Sequence, residues 1–182
     1  MAEPSVPSTA DIIAATRYWV DKAVIGLNLC PFAKAVQVKG QVRYVVSEAR
    51  TAEALLADLK TELEFLQAAS PEQTDNTLII HPHVLGEFFE FQSFLPRANA
   101  ALKKAWLVGE IQIASFHPQY QFADTEPDAI GNYTNRAATS RAPRHSPRAS
   151  RMNCQWSEPC PWNASSTSLV VAASNPDGSH ST

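Results

Sequence analysis

Glycine is scarce in this sequence, with six in 182 residues. None of the Gly-x-Gly-x-x-Gly, Walker, Gly-x-Ser-x-Gly or Cys-x-x-Cys motifs occurs. Phosphate-cradling loops need several glycines at fixed spacing, because the backbone must approach the ligand closely. The sequence therefore argues against a dinucleotide-binding fold, a P-loop enzyme and a nucleophile-elbow hydrolase.

Other absences narrow the class of protein further. The three cysteines are widely spread and odd in number, so they form no disulfide framework. No apolar run is long enough for a bilayer span, and the first residues show no basic region followed by an apolar one. A formal net charge of -3 argues against nucleic acid as a partner. We expect a cytoplasmic protein with no membrane or nucleic-acid partner.

The composition changes at Arg136. From residue 137 onward lysine is absent, arginine and serine are frequent, and "SLVVAA" is the one segment suited to a short strand. Such a composition buries too little apolar surface to offset chain entropy, which predicts disorder. We predict a flexible N-terminus (1–8), a single domain (9–136) and a disordered tail (137–182). A divergent or frame-shifted end is favoured for this tail over a regulatory one.

Hydrophobic periodicity predicts six elements in the domain, in the order α-β-α-β-α-β. Proline is tolerated in a first turn but not inside a helix, so we expect the third helix to break into two pieces at Pro96. The segments are "STADIIAATRYWVDKAVIGLNLC", "QVRYVVSEA", "TAEALLADLKTELEFLQAA", "NTLIIHP", "GEFFEFQSFLPRANAALKKAW" and "EIQIASFHP". Helical crossovers between apolar strands indicate an α/β fold, with a three-stranded, mainly parallel sheet and flanking helices.

Three apolar segments end alike, in "LNLCPF", "LIIHPH" and "ASFHPQ". Because proline cannot donate to a ladder and keeps the preceding residue extended, Cys30, His81 and His117 should be the last residues of their elements. Ligands of open parallel sheets bind outside the carboxyl ends of the strands. We therefore expect a small-molecule site at this edge of the sheet.

Polar residues that follow the third strand complete the predicted site. The candidate catalytic residues are His117 as acid or base, Cys30 as nucleophile, and Tyr120. The candidate substrate-binding residues are Gln121, Asn132, Thr134, Asn135 and Arg136. A zinc site is the alternative use of the same edge, with ligands His81, His83, His117 and Cys30. Glu48, Glu87 and Asp124 are the carboxylates that could orient a histidine, and the sequence does not choose among them.

The segments "AVIGLNLCPFAKAV", "IIHPHVL", "IASFHPQYQFA" and "DAIGNYTNR" resemble a family of small bacterial proteins, domain of unknown function 1415, over about residues 9–136. The resemblance implies no activity, because the family has none established. Its members continue after the Asn-Arg pair with a Ser-Pro-aromatic-Pro turn, and here the pattern stops at Arg136. Composition independently places the break at the same residue.

Three kinds of function fit these observations. The first is an enzyme that acts on a small polar or anionic substrate. The second is a non-catalytic module that holds a small ligand or a metal in the same pocket. The third is a structural or interaction protein in which the polar motifs cap the sheet. The sequence says nothing about oligomeric state.

Overall fold

The protein is a mixed α/β structure of helices around a small sheet. A computed structural model describes residues 7–137 and the backbone of the strand at 168–173. The helices are α1 (Thr9–Trp19), α2 (Ala33–Val38), α3 (Ala52–Ala68) and α4 (Phe88–Lys104). The strands are β1 (Val42–Val46), β2 (Asn76–Ile80), β3 (Ile111–Phe116) and β4 (Ser168–Ala173).

The sheet has four strands, in the order β1-β2-β4-β3. β1 and β2 are parallel, while β4 lies between β2 and β3 and runs antiparallel to both. The predicted three-stranded, mainly parallel sheet is therefore wrong in strand number and pairing: β3 does not touch β2 and joins the sheet through β4. The crossover by α4 leaves a one-strand gap that β4, the "SLVVAA" segment, fills.

The predicted flexible N-terminus (1–8) and disordered tail (137–182) fall mostly outside the described residues, which exclude 1–6, 138–167 and 174–182, so they stay predictions. Ser8 caps α1, because its hydroxyl accepts from the Asp11 N–H at 3.3 Å and its own N–H donates to the Asp11 carboxylate at 3.2 Å.

Helices cover both faces of the sheet. α3 and α4 bury one face, where Leu59, Ile79 and Phe91 are fully buried. α1 and its π-helical continuation (Val20–Ile25) bury the other face, where Trp19 packs with Leu78 and Ile80. Alternate residues of β2 thus face opposite cores, as the pleat requires.

α4 is a single helix, so the predicted break at Pro96 is wrong. Proline removes one hydrogen bond of the helix, but tertiary packing outweighs that loss. Phe91, Phe94 and Ala98 flank the proline on one face and are almost completely buried. Among the described residues, no helix is long and apolar enough to cross a membrane.

Candidate active site at the carboxyl edge of the sheet

His81 follows β2 and is fully buried on the side of α4. Its Nδ1 lies 3.0 Å from the Val84 carbonyl oxygen, and its ring stacks on Phe91 with the centroids 6.0 Å apart. Because a carbonyl can only accept, His81 carries its proton on Nδ1. Burial, with a smaller contribution from the nearby His117, lowers the pKa of His81 from 6.5 to about 4, against the hydrogen bond to Val84. His81 is therefore neutral at physiological pH.

His117 follows β3 and is also buried, in contact with the rings of Phe88 and Phe91, each with its centroid 5.2 Å away. Its Nε2–H donates to the Gly86 carbonyl at 3.1 Å, and its Nδ1 accepts from the Gln119 N–H at 3.0 Å. Burial lowers the pKa of His117, against the hydrogen bond to Gly86 and the nearby Glu87 carboxylate. Both ring nitrogens of the neutral imidazole are thus occupied by the backbone.

The two buried histidines hold one loop between them. Val84 and Gly86 supply the two accepting carbonyls, and Leu85 between them has a left-handed backbone, with φ of 58°. A buried leucine in that conformation costs about 1 kcal/mol or more, so the surrounding bonds must enforce it. The Cys/His-Pro pattern at these two strand ends therefore builds the loop between β2 and α4.

The segment after His117 folds back on itself around Asn132, which has no exposed surface. The Asn132 carboxamide oxygen accepts from the Phe122 N–H at 2.9 Å and the Thr125 hydroxyl at 3.0 Å. Its amide nitrogen donates to the Glu126 carbonyl at 2.8 Å. Asn132 lies in a short 3₁₀ helix (Ile130–Asn135). Its side chain holds the loop in this conformation through these hydrogen bonds.

The other predicted substrate-binding residues are bonded in the same way. Arg136 donates from Nε to the Tyr120 carbonyl at 3.0 Å and from the guanidinium to the Pro127 carbonyl. Asn135 donates to the Ser115 carbonyl at 3.0 Å. Gln121 donates to the Thr125 carbonyl, and Thr134 to the Gly131 carbonyl. The structure thus gathers these residues into one cluster, where their side chains bind backbone carbonyls.

Tyr120 lies where this loop meets α4. Its ring packs edge-on against Phe88 at 5.6 Å and Phe122 at 5.0 Å between centroids. Phe88 also touches His117, so the phenol belongs to the same cluster as the predicted base. Tyr120 is half-buried, and within residues 7–137 its hydroxyl has no hydrogen-bond partner.

His83 differs from the other two histidines of the edge because it reaches solvent, with 28% of its side-chain surface accessible. Its Nε2 lies 3.3 Å from a carboxylate oxygen of Glu48, whose side chain is 70% exposed. Glu48 follows β1, and His83 follows the neighbouring parallel strand β2. The register pairs Val46 with Ile80, so residues just beyond both ends must meet. The structure thus selects Glu48 from the candidate carboxylates as the partner of a histidine, and places Glu87 near His117.

Cys30 lies apart from the histidines. It is half-buried and packs against the cluster on the α1 face, whereas His81 and His117 contact Phe91 of α4 on the opposite face. In the part of the chain that the structure describes, no three His, Cys, Asp or Glu side chains are placed to hold a metal ion. The four predicted zinc ligands are therefore not brought together.

An open groove of about 470 Å³ runs along β1 and α3 to the same edge. Its lining includes Ser47, Glu48, Asp58, Thr61 and Glu62. The Ser47 hydroxyl donates to Asp58, and Glu62 is held by Arg43 at 2.9 Å. The groove ends at Glu48, beside His83, and the carboxylates of Glu48 and Asp58 make it acidic.

Fold and site together describe a mixed α/β domain whose polar residues gather at the carboxyl edge of its first three strands. The sequence model for the family "Protein of unknown function (DUF1415)" matches residues 11–140, more than half of the chain. The protein belongs to this family, as the sequence resemblance indicated. No curated protein and no solved structure matched the chain.

The Glu48–His83 pair was not predicted as a unit from the sequence. His83 was considered as a zinc ligand, and Glu48 as one of three carboxylates. The available signal was the parallel pairing of β1 with β2, since residues that follow two adjacent parallel strands lie near each other: Glu48 comes two residues after Val46, and His83 three residues after its partner Ile80. Hydrophobic periodicity locates strands but does not show which of them are neighbours.

Proposed function

We propose that the protein is an enzyme that acts on a small polar substrate at the carboxyl edge of the sheet, with His83 and Glu48 as its proton-transfer pair. One observation carries the proposal: His83 is exposed beside a carboxylate, whereas the ring nitrogens of His117 are engaged by the backbone. A general base must reach its substrate, and His83 meets that requirement better than His117.

The geometry of the pair gives each residue a role. The 3.3 Å contact between Glu48 and His83 is an ion-pair distance without a hydrogen bond; in the proposed mechanism an Nε2–H bond to Glu48 forms when substrate binds, orients the ring and leaves the Nδ1 lone pair to accept a proton from the substrate. Within residues 7–137 no group bonds that Nδ1. The Tyr120 hydroxyl is a further polar group of this edge that a substrate could bind. Cys30, on the other face, has no part in this proposal.

The charges around the site also limit which class of substrate we propose. An anionic substrate would need a free cation, but the Arg136 guanidinium binds two carbonyls and stacks over Tyr133 at 4.6 Å. Of the three carboxylates that line the adjoining groove, Glu62 is offset by the Arg43 guanidinium, which leaves Glu48 and Asp58 to make the groove acidic. Like charges repel in such a site, which favours a neutral or amine-bearing substrate over an anionic one.

A non-catalytic binding module is the second candidate, and one observation favours it. The side chains of Gln121, Asn132, Thr134, Asn135 and Arg136 all brace backbone. Such a frame can present a rigid ligand pocket without any chemical step. The two candidates share the location of the ligand and differ in whether proton transfer at His83 matters.

Histidine acylation by diethyl pyrocarbonate, resolved by peptide mass mapping, tests the site. We expect His83 to react well before His81 and His117, and a bound substrate to slow the reaction at His83. A panel of small amines, amides, sugars and carboxylates would be screened for that protection. Binding that survives both His83→Gln and Glu48→Gln unchanged would contradict the location, and turnover that survives them would contradict the enzyme.

A further inference from the structure

The two edge strands of the sheet, β1 and β3, differ in whether their outer backbone groups are hydrogen-bonded. At β3 the outer side is covered near its end, where the Asn135 amide donates to the Ser115 carbonyl at 3.0 Å and the Asn135 carbonyl accepts from the His117 N–H at 3.1 Å. At β1 no described residue bonds the outer side of the strand backbone. Natural sheets usually cover or blunt an edge, because exposed edges pair with other chains.

The hydrogen bonds to β2 show which groups of β1 face outward. The Ser47 N–H donates to the Ile80 carbonyl at 2.7 Å, and the Gln41 carbonyl accepts from the Asn76 N–H at 3.3 Å. Successive residues of a strand direct their backbone groups to opposite sides. Val42, Tyr44 and Val46 therefore present their N–H and carbonyl groups to the open side.

We propose that two copies of this chain join through β1, in antiparallel orientation, to form one continuous sheet. A two-fold axis at Tyr44 pairs Val42 of each copy with Val46 of the other. In this register every outward N–H and carbonyl of the three residues gains a partner. Such an interface is isologous and closes at two copies.

Charge favours a second copy in this orientation. Lys39 precedes β1 and is exposed, whereas Glu48 follows the strand and lines the acidic groove. The chain turns at Gly40, whose φ is 71°, so Lys39 does not continue the strand. Antiparallel pairing about Tyr44 still brings this turn of one copy to the end of β1 in the other, where Glu48 lies. The contact occurs twice by symmetry. The strand is thus complementary to itself, basic at its start and acidic at its end.

The charged residue within β1 does not obstruct this pairing. The Arg43 guanidinium is folded back onto α3, where it binds Glu62 at 2.9 Å and lies 4.2 Å from the centroid of the Phe65 ring. In the proposed register Arg43 of one copy lies opposite Val45 of the other, which lines the groove. The groove can therefore accept side chains of the second copy on the α3 face.

Sedimentation velocity of the full chain over a wide concentration range tests the proposal. We expect a reversible dimer, and expect Lys39→Glu and Glu48→Lys each to weaken its dissociation constant by about tenfold, since each turns two attractive contacts into repulsive ones. An equimolar mixture of the two variants should associate as tightly as the unchanged protein, because both contacts then become attractive again. Lys103→Glu makes the same charge change at the end of α4 and should leave the dimer intact.

Two results would overturn the proposal. A chain that stays monomeric at every concentration has no such interface, and the β1 edge would then be left to an extended segment of another protein. If neither single variant changed the dissociation constant of the dimer, the interface would lie elsewhere. The same would follow if the mixture associated no better than either variant alone.

Discussion

The histidines at the carboxyl edge of the sheet fall into two environments. His81 and His117 are buried against Phe91, neutral, and bonded to backbone on the α4 side of the sheet. His83, two residues after His81, is exposed and pairs with Glu48. One residue type thus serves as a structural brace in the first environment and remains open to a ligand in the second.

This comparison shows what the Cys/His-Pro pattern specifies. Proline fixes where an element ends and keeps the preceding residue extended, so the preceding side chain faces one of the two cores. At His81 and His117 that core is closed by α4. Cys30 does not end its helix as predicted: the π-helix ends at Ile25, and Cys30 follows a turn and packs against the opposite core. The residue that ends the apolar segment is therefore a brace, and the accessible group comes later in the loop.

The largest expected effect comes from the bracing environment, at Asn132. Asn132→Ala removes three part-buried hydrogen bonds of a side chain that is itself completely buried, which should lower the free energy of unfolding by about 3 kcal/mol. Urea denaturation measures it. Asn99→Ala is the matched control, since the Asn99 amide is exposed and bonds a helical carbonyl, so its loss should cost about 0.5 kcal/mol or less. Equal effects at the two positions would contradict the bracing role.

The buried histidines should also make stability depend on pH. Unfolded His81 takes up a proton as pH falls through 6.5, whereas the folded form resists until about pH 4. Over this window the unfolded state binds more protons, so stability is full above the unfolded pKa and falls as the solution is acidified. The loss between about pH 7.5 and about pH 5 should be about 2 kcal/mol from His81, and the lowered pKa of His117 acts in the same direction.

Urea denaturation at both pH values measures this dependence. In His83→Gln the loss of stability between the two pH values should be as large as in the unchanged protein. In His81→Gln this loss should be smaller. If His83→Gln removed the dependence, the comparison between buried and exposed histidines would be wrong.

The smallest effect on stability is expected at the exposed pair. Glu48→Gln and His83→Gln should each change the free energy of unfolding by about 0.5 kcal/mol or less, because exposed ion pairs contribute little. Both should nevertheless impair ligand binding or turnover at the edge. A large loss of stability in either variant would mean that His83 has a structural role, as His81 and His117 do.

Local patterns were enough to predict the main helices and the first three strands. Ser8 and Thr51, the first residues of two predicted helical segments, cap α1 and α3, and Leu55, Leu59, Leu63 and Leu66 of α3 are buried. The break at Pro96 was wrong because packing against the sheet, which no local pattern contains, holds α4 together. Strand order was wrong for a similar reason: β4 comes from a segment separated from the domain by residues 138–167.

Whether the carboxyl edge holds a ligand site stays a prediction, and the sequence did not show in detail how its side chains are arranged. Residues from Tyr120 to Arg136 do gather at the edge, as the strand ends implied. Whether a side chain faces a ligand or a backbone carbonyl depends on how the loop folds back, and a single sequence does not encode that in any short pattern. Asn132 shows the difference, since its polar groups are all used within the loop.

The most direct test of the account is the tautomeric state of each histidine ring, measured by long-range ¹H–¹⁵N NMR correlation at neutral pH. We predict that His81 is neutral with its proton on Nδ1, and that His117 is neutral with its proton on Nε2. The loss of the His83 signals in His83→Gln, with those of His81 and His117 unmoved, would separate the two environments. A charged His117, or one with its proton on Nδ1, would contradict the brace and return His117 to the role of catalytic base.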